Sequence, residues 1–159
     1  MAWDSTDNDY ANSDAHAYLN SDFLGLFDSN IQAIIKQVKI PYRAGAGGDN
    51  TVTSGANGLS TKVFLLSSAE TNFNFGTAQP NEGTTLSYFV GCANGADSKR
   101  IAYYNGSMYG WWFRSPYRGN NYQAVYVYYD NGNFNLANVS TASGIGIRPA
   151  LILPPDLGV

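Results

Sequence analysis

Few residues in this chain have types suited to catalysis, and their spacing does not favour it. There is one histidine, His16, and one cysteine, Cys92. A nucleophile needs a base beside it and a third group to orient that base. His16 falls inside a helical pattern with no such partner in view and reads as a helix-surface histidine. A single thiol excludes an intramolecular disulfide and a multi-thiolate zinc site. Glu70 and Glu82 are the only glutamates. Glycoside hydrolysis needs two carboxyl groups at a defined separation, and sequence does not pair these two. Asp4, Asp7, Asp9 and Asp14 are spaced acids. A calcium loop of the EF-hand type also needs a glycine at its sixth position and a glutamate at its twelfth, and neither is in place. Gly45, Gly47, Gly48, Gly55 and Gly58 fit no phosphate loop, and no Gly-Lys-Ser/Thr follows them. No catalytic residue, metal ligand or cofactor site is assigned. The Asn-x-Ser sequons at Asn105 and Asn138 are weak signals.

Chemistry of another kind is concentrated between residues 117 and 143. The polar residues there are mostly Asn, Tyr and Ser, with no Lys or Glu. Asn offers a donor and an acceptor together, and Tyr combines a large apolar face with a hydroxyl and few rotamers to freeze. An ordinary solvated hairpin carries charge on its exposed face. The composition fits a recognition surface or a Tyr-rich hairpin packed on the core, and by itself does not choose between them.

The elements that position this stretch are legible in part. The chain has 159 residues, enough for one domain with a real core. Charged residues make up 13% and aromatic residues 14%; the low charge argues against a disordered tail. Net charge is −3, and the nine Lys and Arg are scattered, which argues against nucleic acid as a partner. No apolar run approaches the roughly 20 residues needed to span a bilayer, and no signal peptide is visible. Residues 13–27 predict a helix capped by Ser13, with Ala15, Tyr18, Leu19, Phe23 and Leu26 at helical spacing. Ile31, Ile34, Ile35 and Val38 predict a second helix that Pro41 ends. Residues 42–60 read as a Gly-rich loop, 62–66 as a short buried strand and 67–83 as irregular. Residues 86–90 read as a strand or helical turn, and 91–99 as a loop. Strands follow at 110–114, 122–129 and 133–139, the last two joined by a tight turn at Asp130-Asn131-Gly132. Residues 140–144 read as a loop. The final strand, 145–153, is interrupted by Pro149 and so is expected at an edge or a bulge. Helices first and antiparallel strands after predict an α+β domain.

Four segments carry a family resemblance: YANSDAHAYLNSDFLGLF, SGANGLSTKVFLLS, GWWFRSP at 110–116 and GIRPALILP at 146–154. The chain resembles gut-associated bacterial and bacteriophage proteins with a WWLRSP…GVRPAL pattern, Phe113 standing where Leu is usual. Those proteins are similar to the C-type-lectin and formylglycine-generating-enzyme fold, and some resemble variable proteins of diversity-generating retroelements. The resemblance covers nearly the whole chain. It implies a single C-type-lectin-like domain over 1–159, with two N-terminal helices, a twisted antiparallel sheet and long irregular loops. The resembling proteins carry more chain ahead of the first helix, which implies a longer whole protein. It also implies that 117–145 is a variable region, randomised at adenines by a reverse transcriptase. The candidate ligand contacts are then Tyr117, Arg118, Asn120, Asn121, Tyr122, Tyr126, Tyr128, Tyr129, Asp130, Asn131, Asn133, Asn135 and Asn138. Trp111, Trp112, Arg114 and Arg148 are expected as scaffold, with each guanidinium hydrogen-bonded or paired. The partner would be a protein or glycan on a cell surface, and the address a phage tail or a bacterial surface. Two alternatives of other classes are an enzyme of the formylglycine-generating type and a structural module without a variable site. The enzyme uses paired cysteines with copper, which Cys92 alone does not supply.

Overall fold

The computed structural model describes residues 2–45, 51–74, 81–141 and 144–156. Gly47 and Gly48 of the Gly-rich loop, and parts of the stretches 67–83 and 140–144, lie outside the described residues. The domain is mixed α+β, with helical turns leading and small antiparallel sheets following. Helix α1 spans Asp14–Tyr18 and continues as a π turn, Leu19–Phe23, and a 3-10 turn, Leu24–Leu26. Ser13 caps it as predicted, its hydroxyl accepting from the His16 N–H. Helix α2 covers only Ser29–Ile34. Beyond it, Ile35 turns extended and the Lys36 N–H donates to the Ile152 carbonyl. Val38, predicted helical, begins strand β1 (Val38–Ile40), which pairs with β2 (Leu59–Thr61). Tertiary pairing here overrides helical spacing.

Strand β3 (Val63–Leu65) is wholly buried, as the KVFLL segment predicts. Residues 86–90 form a 3-10 turn at Ser87–Phe89. A hairpin follows that sequence reading passed over: β4 (Ala102–Tyr104) and β5 (Ser107–Tyr109). Its turn is Asn105-Gly106, both with positive φ (49° and 79°), as a two-residue hairpin turn of the I′ kind requires.

The main sheet has three antiparallel strands in order: β6 (Trp111–Pro116), β7 (Gln123–Val127) and β8 (Phe134–Asn138). Strand β9 (Pro149–Leu151) opens on Pro149, where no ladder N–H is needed, and pairs with β3. The predicted single strand over 145–153 is thus divided. Gly146 bridges the outer edge of β6 at Trp111, and Pro149 marks the change of partner. Among the described residues, the expected twisted sheet is instead this three-stranded sheet and three two-stranded ones.

Both faces of the main sheet are covered. Trp112 and Ala124 face a core with Trp3, Tyr10, Leu19 and Leu65. Trp111, Phe113, Val125 and Val127 form a second cluster on the other face. A fully buried Trp removes roughly 150–250 Å² from water, worth about 4–6 kcal/mol before entropy is subtracted. The middle of β6 leaves β7, with a register shift between Trp112 and Pro116. There the Arg114 N–H donates to the Leu66 carbonyl and the Phe113 carbonyl accepts from Trp3 Nε1 at 2.9 Å. Arg114 itself is fully buried, and all its donors are used. Nε reaches the Pro41 carbonyl, Nη1 the Leu65 carbonyl and Glu70, and Nη2 Glu70 and the Glu82 carbonyl. Burial opposes its charge, but the Glu70 hydrogen bonds and charge outweigh that and hold its pKa above the ordinary value. It is scaffold.

Candidate functional site

The candidate contacts do not form one surface. They divide between the two ends of strand β7, whose five residues span roughly 13 Å at about 3.3 Å per residue. Tyr117, Arg118, Asn120, Asn121, Tyr122 and Asn138 lie at the β6–β7 connection. Tyr128, Tyr129, Asp130, Asn131 and Asn133 lie at the β7–β8 turn, with Tyr126 and Asn135 paired beside it. None of the thirteen is fully buried.

The connection end is tied down from below. Asn8, fully buried, sends its side-chain amide to the carbonyls of Tyr117, Asn120 and Gln123 at 3.1, 2.9 and 2.7 Å. Its own N–H donates to the Asn121 carbonyl. The Asn120 side chain is spent locally. Its oxygen accepts from the Tyr122 and Gln123 N–H groups, and its amide donates to the Gln123 side chain. Asn138 likewise caps Ser140. Asn120 and Asn138, expected as ligand contacts, therefore hold backbone. Tyr117 folds over Gly119, where an added Cβ would sit 2.5 Å from the ring. Tyr122 is 49% exposed.

At the other end the backbone is anchored and the rings are not covered. Gly132 has φ +66°, and an added Cβ would fall 2.0 Å from the Asp97 carbonyl. The Gly132 carbonyl in turn accepts from Arg100. The turn residues use their side-chain oxygens on the backbone: Asn131 on the Asn133 N–H, Asn133 on Phe134 and Asn135 on Leu136. The tyrosines form a row. Tyr126 packs edge-on to Trp112 at 5.7 Å, Tyr128 lies 6.4 Å from Tyr126, and Tyr129 lies 4.6 Å from Tyr128. Strict alternation would put Tyr129 on the opposite face to Tyr128. The strand ends at Val127 instead, and the turn brings Tyr129 beside Tyr128. The Tyr129 side chain beside it raises the Tyr128 phenol above its ordinary pKa.

The row continues onto a neighbour that sequence reading did not include. Gly110 lies against Tyr126, where an added Cβ would be 3.6 Å from the ring. Beside Gly110 the β4–β5 hairpin presents Tyr103 and Tyr104, 66% and 65% exposed, with Tyr109 against Tyr104 at 5.8 Å. The available signal was Asn105-Gly106 within AYYNGSMY, flanked by aromatics. Between this hairpin and residues 146–149 opens a pocket of about 520 Å³. Its walls include Tyr103, Tyr104, Tyr109 and Trp111, and Arg148 is the one charged residue lining it. The hydrogen bond or ion pair expected for Arg148 is not found among the described residues. Its guanidinium stacks on Trp111 at 4.8 Å, and Nη1 is sealed from solvent without an acceptor. Burial lowers its pKa, with the nearby Tyr88 acting against that.

The remaining chemical residues are committed to structure. Half-buried His16 packs on Tyr10 at 5.2 Å and meets Thr61 at 3.3 Å. Burial lowers its pKa. Cys92 is buried, and burial pushes its thiol up. Glu70 is held by Arg114 and Glu82 by Arg43, with 3.5 Å between the latter pair. Burial holds the Glu82 carboxyl above its ordinary range. Asp4 accepts from the N–H groups of Thr6, Asp7 and Asp14 and from the Thr6 hydroxyl. Asp7 and Asp9 cap the turns that follow them. Among the described residues, no three His, Cys, Asp or Glu converge as a metal would need. No helix among them is long and apolar enough to cross a membrane.

Fold and site together define a small α+β domain with an aromatic surface and one pocket-lining cation at one end of its main sheet. The chain belongs to the family described as domain of unknown function (DUF6273), whose model matches residues 2–155. Comparison with curated proteins and with solved structures finds no match.

Proposed function

We propose that this domain is a recognition module, without catalysis, whose ligand surface is the tyrosine end of the main sheet. One observation carries the reading: Tyr128 and Tyr129 stand in ring contact, half-exposed and exposed, on a turn whose backbone is anchored at Gly132, and Tyr103, Tyr104 and Tyr109 stand exposed on the hairpin that Gly110 joins to the same end of the sheet. Exposed aromatic residues gathered in one place mark binding surfaces more often than chance exposure does. The motif resemblance adds the finer reading of a C-type-lectin-like domain of the retroelement-diversified kind, varied within 117–145. The partner would be a protein or glycan on a cell surface, and the protein would act from a phage tail or bacterial surface. Buried Trp111, Trp112 and Arg114 support it, since a rigid frame lets exposed side chains change at a cost usually within about 0.5 kcal/mol.

The test is binding of the purified chain to intact bacterial cells and to envelope glycans. Tyr128→Ala and Tyr129→Ala should weaken binding with the fold intact, and Tyr122→Ala should not. Equal binding by all three variants would overturn the assignment of the surface. The retroelement part has its own check in the neighbouring DNA. It requires a near-copy of the segment coding for 117–145, differing mainly at adenines, and a reverse transcriptase gene.

A further inference from the structure

The pocket beside the tyrosine row contains a feature that the recognition reading does not use. A guanidinium in a protein interior normally finds carboxylates or carbonyls for its five N–H groups, as Arg114 does. Half-buried Arg148 lines the pocket without a hydrogen bond to any described residue: its Nη1 is sealed from solvent with no acceptor, and its ring partner is the face of Trp111. It stands in a cavity of about 520 Å³ with no acid in its lining. That volume is in the range of small-molecule sites, which are mostly apolar with a few placed polar groups. The walls are flat rings bearing hydroxyls, with Tyr104 and Tyr109 inclined at 61° to each other.

We propose that this pocket binds a carboxylated sugar residue of the uronic or sialic type, its carboxylate on Arg148 and its ring against Tyr104 and Tyr109. The charge follows from Arg148 being the one ionic group of the lining. The ring follows from the tyrosine faces, which offer apolar area to C–H groups and hydroxyls to sugar oxygens. An extended peptide fits less well. The outer edge of β6 is already taken, since the Gly146 N–H donates to Gly110 and the Trp112 N–H donates to Gly146. Strand addition therefore has no free ladder there.

This inference deepens the recognition reading and rests on it for the ligand class. The experiment is a titration of the full chain, followed by NMR at the Trp111 indole and the Gly110 and Gly146 amides. The probes are methyl glucuronoside, the methyl glycoside of N-acetylneuraminic acid, the methyl ester of the glucuronoside, and phenylacetate. At least one sugar acid should shift these signals, and the neutral ester should bind about tenfold more weakly or worse, the loss expected for one charge-assisted hydrogen bond. Arg148→Gln, with its Tm checked, should bind acid and ester alike. Equal binding of acid and ester by the unaltered protein overturns the role of Arg148 without any variant having to fold. Binding of phenylacetate alone overturns the sugar assignment. If no sugar acid binds while Tyr129→Ala still loses cell binding, the pocket inference fails and the recognition reading does not.

Discussion

The connection at 117–122 and the turn at 128–133 lie at opposite ends of one strand and are built from the same residue types, Tyr, Asn and Gly. In both, asparagine oxygens are spent on backbone N–H groups. The difference lies in the rings and in what is beneath. At the connection, Asn8 reaches three carbonyls from the core, Tyr117 lies on its own loop, and Tyr122 is exposed with no ring contact among the described residues. At the turn, Gly132 and Arg100 anchor the backbone and leave the tyrosines in contact with each other, and Gly110, against Tyr126, also lines the cationic pocket of the second aromatic hairpin. Composition therefore marks where recognition is possible. Hydrogen-bond accounting and ring contacts decide which end is equipped for it.

The largest effect expected is on the frame that both ends share. Arg114→Met leaves Glu70 buried without its cation and should cost about 3–5 kcal/mol, with Tm falling on the order of 10 °C. Thermal unfolding followed by circular dichroism measures this. A Tm near that of the parent would remove Arg114 from the scaffold and weaken the comparison at its base.

Next is the anchor at one end only. Asn8→Ala leaves three carbonyls without their shared donor and should destabilise by about 2–3 kcal/mol. Amide hydrogen exchange should rise in 117–123 and stay unchanged in 128–133. Uniform loosening would mean that the two ends are not independent.

The third effect concerns binding and is expected at the other end only. Tyr128→Ala or Tyr129→Ala should each weaken binding by about 2 kcal/mol, the size of a hot-spot residue, with stability changed by about 0.5 kcal/mol or less. Tyr122→Ala should change neither. Isothermal titration with a cell-surface ligand, paired with denaturant melts, gives both numbers. Equal losses at Tyr122 and Tyr129 would merge the two ends into one surface.

The smallest effect is the pH response of the N-terminal turn. Burial acts against the Asp4 carboxylate, but hydrogen bonds from the backbone of Asp7 and Thr6, the Thr6 hydroxyl and the Asp14 backbone hold its pKa below the ordinary value. A lowered folded pKa gives stability that is present above the unfolded value of about 3.9 and lost as pH falls through the folded value. Asp4→Asn should therefore be less stable than the parent at pH 7, with the gap closing below about pH 4. A gap independent of pH would show that charge on Asp4 contributes nothing.

Much of the chain was legible as sequence because local rules suffice for it. Ser13 caps α1, since its oxygen needs only the N–H three residues on. Asp130-Asn131-Gly132 makes the turn between β7 and β8, since glycine takes positive φ without strain. Apolar periodicity placed β3 and β6–β8 within a few residues of their observed bounds. The α+β class and the Tyr- and Asn-rich character of the candidate surface were likewise set by the order and composition of the chain. The tertiary structure decided matters that depend on partners distant in sequence. Val38 became a strand because residues 59–61 pair with it, and 145–153 divided because β6 and β3 each took a part. Asn120 and Asn138 spent their side-chain oxygens on neighbouring backbone N–H groups, while Tyr103, Tyr104 and Tyr109 came to stand exposed on a second hairpin. The two motif arginines show the limit most plainly. Arg114 and Arg148 both sit in apolar strand-like sequence, yet one is fully paired and the other lines a pocket with its Nη1 buried and lacking an acceptor. Whether a guanidinium meets its acceptors depends on which carbonyls and carboxylates the fold brings within about 3 Å, and the sequence around the arginine does not contain that information.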